Sequence, residues 1–180
     1  MKKKYWILLA TAPAVLAIDQ LTKWLVANTM ELGHRVPVIP GFFDIVYFHN
    51  PGAAFGMFSG LPDSVRTPFF YVVALIAVGL LALLYRTLED DENMVAFAIA
   101  LVFGGIAGNI VDRLRFDSVV DFLSIHLGSA VVQGEIMGVA YRLPLEWPAF
   151  NVADSAISVA MVILVVTAIW RKRRSGGGER

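Results

Sequence analysis

The sequence contains no cysteine. That removes disulfides, thiolate nucleophiles and Cys-ligated metals, and it leaves the redox compartment open. Histidine is nearly as scarce. His34, His49 and His126 are the three present, and none stands in the H-E-x-x-H spacing of a zinc peptidase. No Gly-x-Ser-x-Gly turn occurs, and Ser124, Ser155 and Ser158 have no evident base beside them, so a serine nucleophile lacks its machinery. Net charge is missing too. Fifteen basic and fifteen acidic side chains cancel, so no cationic field argues for nucleic acid as a partner.

Apolar surface is abundant instead. The 180 residues are 57% hydrophobic, with a mean hydropathy of +0.66, whereas soluble domains run at roughly 45–50% apolar. This composition predicts a single integral membrane domain over residues 1–180. A membrane span needs roughly 20 mostly apolar residues, and four stretches qualify, at about 5–27, 68–85, 94–111 and 152–170. The start, "MKKKYWILLATAPAVLA", has the basic and apolar regions of a secretory signal. Apolar character resumes after Asp19 and Gln20, however, so it reads as a retained first span. Lys2, Lys3 and Lys4 flank the first span, and Arg171, Lys172, Arg173 and Arg174 flank the last. Positive charge stays on the cytoplasmic side, which predicts both termini there and outer loops at about 28–67 and 114–150.

Those loops carry strand signals. "RVPVIPGFFDIVYFHN" mixes β-branched and aromatic residues with Pro and Gly, and "SAVVQGEIMGVAYRLPLEW" reads as two short strands around Met137-Gly138. The expected fold is therefore an all-α membrane base of four transmembrane helices, with a small extracytoplasmic β-sheet.

Charges near a bilayer are functional suspects. Asp19 and Lys23 are four apart on the first span and can pair. Asn109, Asp112 and Arg113 share a helical face at the end of the third span. Asn151 and Asp154 open the fourth, and Asp117 and Asp121 follow the third. Topology brings all of them to one water–lipid boundary. Interfacial anchoring and helix capping account for single members of this cluster but not for the whole, because anchors prefer Trp, Tyr, Lys and Arg over Asp and Asn. What remains is carboxylate chemistry. Two aspartates held close share one proton, so one can activate water while the other donates a proton to a leaving amine.

Five stretches, "DQLTK" at 19–23, "NPGAAFG" at 50–56, "GNIVDR" at 108–113, "VVDF" at 119–122 and "FNVADS" at 150–155, occur in the order found in bacterial lipoprotein signal peptidase, signal peptidase II. The chain resembles that family over nearly its whole length. The resemblance implies an aspartyl endopeptidase that removes signal peptides from prolipoproteins, cutting before a diacylglyceryl-bearing cysteine. It places the catalytic pair on Asp121 and Asp154. It makes Asp19, Lys23, Asn50, Gly105, Asn109, Arg113 and Asn151 residues that line or support the substrate site, with Asp112 in a structural pairing role. Ala53, Ala54 and Phe55 fall on a short extracytoplasmic helix that covers the substrate. No cofactor and no metal are expected. The implied partners are lipid-modified prolipoproteins and the phospholipid bilayer. The expected state is a monomer in the bacterial cytoplasmic (inner) membrane, with its site at the outer face.

One departure stands out. The 124–148 segment looks longer than the family pattern and reads as an extended hairpin in the outer sheet, either a modified substrate rim or a tolerated loop insertion. The competing function is a small membrane carrier or proton channel using interfacial carboxylates. A relay of that kind needs acids distributed through the bilayer, and the second and third spans have none in their middles. A non-enzymatic scaffold gives no reason for two separate aspartate motifs to converge.

Overall fold

The computed structural model describes residues 2–52, 58, 60–136 and 139–176. Its helices are α1 (Lys3–Thr29), α2 (Asp63–Thr87), α3 (Asn93–Phe116) and α4 (Val152–Gly176). All four are long and apolar enough to cross a membrane. Each apolar stretch in the sequence sits inside one of them, but the helices run further than hydropathy suggested. α2 begins at Asp63 rather than Pro68. Its first turn is polar, pairs Arg66 with Asp63, and takes Pro68 inside the helix. α3 continues to Phe116, so Leu114, Arg115 and Phe116, expected in the outer loop, lie within the helix with Asp112 and Arg113. It ends at Asp117, whose left-handed backbone (φ 54°) returns its N–H to the Arg113 carbonyl at 3.0 Å.

α3 is the central helix, with Ala96, Ala98, Ile99 and Ala100 fully enclosed. Its neighbours α1 and α4 pack along it, and α2 lies against it near the α2–α3 turn. Small residues make this closeness possible. A methyl group on Gly104 would stand 2.6 Å from Val15 Cβ of α1, and one on Gly105 would stand 2.6 Å from the Ala153 carbonyl oxygen of α4. Large apolar side chains point outward instead, among them Leu75, Leu80 and Leu83 on α2 and Val162, Val165 and Trp170 on α4. Such a surface is stable in lipid and would be an aggregation liability in water.

At the end where α1, α3 and α4 carry their charges sits an antiparallel sheet in the order β1 (Arg35–Ile39), β2 (Phe43–Asn50), β3 (Val119–Ile136) and β4 (Val139–Glu146). β3 is 18 residues long, not short as expected. Its first part pairs with β2, and its last part forms an extended hairpin with β4. A charged ladder ties the strands together. Arg35 reaches Asp44 Oδ2 at 2.7 Å and Glu146 Oε1 at 2.5 Å, and His126 Nε2 lies 3.0 Å from the same Asp44 oxygen. The covering helix expected at Ala53, Ala54 and Phe55 lies outside the described residues, as does the Met137-Gly138 hairpin tip.

Candidate active site

Asp121 occupies the third position of β3, and Asp154 the first turn of α4. The chain between them returns to β3. Trp147 N–H donates to the Ile125 carbonyl at 2.8 Å, and Leu123 and Phe150 exchange N–H···O bonds at 2.8 and 2.9 Å. α4 is thus launched from the edge of the strand that carries Asp121. At that launch point Asn151 forms a capping box with Asp154. Asn151 Oδ1 accepts the Asp154 N–H at 2.9 Å, and Asp154 Oδ2 accepts the Asn151 N–H at 3.3 Å.

The same Asn151 joins the two aspartates. Its Nδ2 donates to Asp121 Oδ1 at 2.9 Å, to the Val120 carbonyl and to Asn109 Oδ1, both at 3.2 Å. Asn50, at the end of β2, donates to Asp121 Oδ2 at 2.9 Å. Asn109 of α3 donates to Asp154 Oδ1 at 2.8 Å. Each carboxylate oxygen of the pair therefore meets a neutral N–H donor, and neither carboxylate forms a salt bridge among the described residues. Burial dominates the proton affinity of Asp121 and pushes its pKa up to about 7, against the lowering effect of the Asn50 bond, with the nearby Asp154 charge adding to the rise.

Two other buried aspartates are treated differently. Lys23 of α1 sits 2.8 Å from Asp19 Oδ2 and 2.7 Å from Asp112 Oδ2, with all three side chains at most 4% exposed. Lys23 also donates to Asn109 Oδ1 at 3.1 Å. The remaining lone pairs are used as well. Asp19 Oδ1 accepts Ala153 N–H at 2.9 Å, in the first turn of α4, and Asp112 Oδ2 accepts Val120 N–H at 3.0 Å. This trio joins α1, α3, α4 and β3, and its fixed charges are balanced by a cation and by backbone dipoles. Asp19 and Asp112 thus form an ion-paired set that holds the frame, whereas Asp121 and Asp154 are held by amides, with no cation bound to either among the described residues.

The amide-held pair opens onto a cavity of about 680 Å³. Asn50, Gly52, Asn109, Arg113, Asp121 and Asp154 form its polar wall. Ile125, Trp147, Phe150, Ile157 and Val159 contribute apolar surface. Arg113 stacks 4.3 Å above the Phe70 ring and donates to the Gly52 carbonyl at 3.1 Å. Of the residues expected to line or support the site, Asn50, Asn109 and Arg113 line it. Asp19, Lys23, Gly105 and Asn151 stand behind the wall. Asp112 also faces away, towards Lys23, although its spacing had put it on one helical face with Asn109 and Arg113. Asn109 and Arg113 are one turn apart and share the cavity side, whereas Asp112 is turned towards α1.

Sequence reasoning passed over several participants. Gln20 donates to Asp112 Oδ1 at 2.8 Å and to the Gly108 carbonyl at 3.1 Å; its place inside the DQLTK stretch was the available signal. Trp147 and Phe150 line the cavity through strand pairing that no local pattern announces. Ser155 also lines it, but its hydroxyl donates to the Asn151 carbonyl at 2.8 Å.

The family model for signal peptidase (SPase) II matches residues 11–170. The lipoprotein signal peptidase of Geobacter sulfurreducens is 41% identical over 174 residues, 97% of this chain and 98% of that protein. The one from Syntrophus aciditrophicus is 42% identical over 96% of this chain and 98% of its own length. A bacterial membrane enzyme solved by the in meso method at 2.3 Å superposes with a TM-score of 0.75 at 30% identity, over 100% of this chain and 98% of that one. With the family model spanning most of the sequence and these relatives covering nearly all of it, the chain belongs to the signal peptidase II family of aspartic peptidases in the bacterial inner membrane.

Proposed function

We propose that Asp121 and Asp154 are the catalytic pair with which this signal peptidase II family member removes the signal peptide from prolipoproteins, cutting before a diacylglyceryl-bearing cysteine. The observation that carries the reading is the division of carboxylates. Asp19 and Asp112 are committed to Lys23, whereas Asp121 and Asp154 hold only neutral donors and open onto the cavity. Two such carboxylates share one proton. The ionised member takes a proton from water, and the resulting hydroxide adds to the scissile carbonyl while the protonated member donates to its oxygen. Collapse of the tetrahedral intermediate breaks the C–N bond as the proton taken from water goes to the departing cysteine amine, and one hydroxyl of the intermediate returns its proton to the other aspartate, which restores the singly protonated pair. The step balances without a metal or cofactor.

Asn50, Asn109 and Asn151 fix the carboxylates in place, which favours the reacting geometry over its alternatives. Arg113 holds Gly52 at the cavity wall. Gly105 and the Lys23 trio seat the first turn of α4. All of this is built by one domain, in which α1, α3, α4 and β3 are cross-linked at the Lys23 trio. The lysines at 2–4 and the basic run at 171–174 favour cytoplasmic termini, which puts the cavity at the outer face. The chain acts there as a monomer, with the acyl chains of the substrate left in the bilayer while the scissile bond reaches the pair. Carrier or channel function is not favoured by the names of the relatives or by the confinement of the cavity's carboxylates to one end.

The test is cleavage by the purified protein, reconstituted in lipid, of a lipidated prolipoprotein and of the same precursor with its cysteine changed to serine. Rapid cleavage of the first and little of the second is expected. Equal cleavage of both would remove lipid recognition from the reading.

A further inference from the structure

Outside the cavity, one polar chain has no part in the chemistry described so far. His49 is the next-to-last residue of β2 and stands opposite Val120, just before Asn50. Its Nδ1 lies 2.9 Å from Ser118 Oγ, and its Nε2 lies 3.2 Å from the Tyr47 hydroxyl. Ser118 Oγ in turn donates to the Phe116 carbonyl at 3.0 Å. With that hydroxyl proton committed, His49 Nδ1 must be the donor to Ser118, and Nε2 accepts from Tyr47. The ring also packs edge-on against Phe116, 5.4 Å between centroids, and against Tyr47 at 5.5 Å. None of these side chains lines the cavity.

Location gives the arrangement its meaning. Phe116 to Ser118 is the corner where α3 stops and β3 starts, turned by the left-handed backbone of Asp117. Upstream of the corner, α3 carries Asn109 and Arg113; downstream, β3 carries Asp121. On the other side of the imidazole, β2 ends at Asn50, whose side chain donates to Asp121 Oδ2 and accepts the Gly52 N–H at 3.0 Å. Asn50 is a terminal strand residue, and strand ends fray unless something holds them. We propose that His49 is a positioning residue: its imidazole staples the end of β2 to the α3–β3 corner and so keeps the Asn50 amide on Asp121. The inference rests on the reading of Asp121 as catalytic.

The chemistry that follows is specific. The Asn50 bond favours the ionised form of Asp121. Loosening it lets the pair keep its shared proton to higher pH, so the alkaline limb of the pH–rate profile moves up. Other charges near Asp121 are Asp154 on α4, Lys23 on α1 and Arg113 on α3, whereas the partners of His49 are Tyr47, Ser118 and Phe116.

The test uses His49→Ala, His49→Asn, His49→Gln and Ser118→Ala in the full chain, with Asp121→Asn alongside. An Asn amide reaches the position of Nδ1 and can donate to Ser118; a Gln amide reaches the position of Nε2 and cannot. Expected are a fall in kcat of roughly tenfold for the Ala and Gln variants, from loss of one charge-assisted bond, an alkaline-limb shift of about one pH unit, little change in KM, and substantial rescue by Asn. If the Ala variant does not fold, the Asn–Gln comparison and Ser118→Ala decide, since all three keep a side chain in place of the ring or keep the ring itself. Equal kcat and an unmoved limb in the Gln and Ser118→Ala variants, with Asp121→Asn inactive, would overturn the positioning role alone. An active Asp121→Asn would instead remove the catalytic reading beneath it.

Discussion

Asp121 should make the protein less stable as the pH rises, and removing its charge should abolish that loss. The side chain is 3% exposed, and its pKa rises from 3.8 to about 7 in the folded protein. A raised carboxyl pKa contributes stability that is fully present below the unfolded value and is lost as pH climbs through the folded one. A shift of that size corresponds to about 4 kcal/mol, lost between about pH 4 and pH 7. For a chain of this length, that is a fall of about 8–16 °C in melting temperature. Asp121→Asn removes the titration but adds a constant penalty. Both Asp121 oxygens accept from amide NH₂ groups, so one of those donors would face an NH₂, at a cost of about 1–3 kcal/mol. The wild type should therefore be the more stable protein at pH 4–5, and the variant should match or exceed it at pH 8. Melting curves of both proteins in one detergent, across pH 4–8, read this directly. The difference between them cancels the titrating groups other than Asp121 and its coupled partner Asp154. A constant gap over the whole range would refute the claim that Asp121 is held at a high proton affinity by burial.

Other consequences follow from the frame around the pair. Lys23→Met leaves Asp19 and Asp112 buried without their cation and should destabilise the protein by about 3–5 kcal/mol, measured by thermal melting; an unchanged melting temperature would mean the trio does not hold the frame. Gly105→Ala places a methyl group 2.6 Å from the Ala153 carbonyl and 2.7 Å from Ile157 Cγ1, so α4 must move, at a cost of about 1–3 kcal/mol and with lost turnover. A reporter active only in the cytoplasm, fused after residue 176, should give signal; silence there would reverse the topology and put the cavity on the other face.

Hydropathy alone made the membrane base legible, because a run of roughly 20 apolar residues reports burial in lipid without knowledge of its neighbours. The Asp19–Lys23 pair was legible for a similar reason: four residues apart on a helix is a local relation. Other features depended on packing. Asp112 sits within the same motif as Asn109 and Arg113, yet its direction is set by where α1 presents Lys23. β3 was hidden because "VVDFLSIHL" combines a buried charge with apolar residues, and its pairing with β2 and with Phe150 joins segments far apart in sequence. The polar first turn of α2 escaped because hydropathy finds the membrane part of a helix and not its end. His49 was set aside as no metal ligand, and its bond to Ser118 spans 69 residues.

The central claim is that Asp121 and Asp154 act as one catalytic unit, and turnover of a lipidated prolipoprotein by Asp121→Asn, Asp154→Asn and the double variant tests it most directly. Asp117→Asn is the control, because Asn is at home in the left-handed conformation that Asp117 adopts at the end of α3. With membrane levels measured for each, both single variants should lose at least about a thousandfold in kcat, the double should be little worse, and the control should stay near wild type. Near wild-type turnover by either single variant would contradict the account.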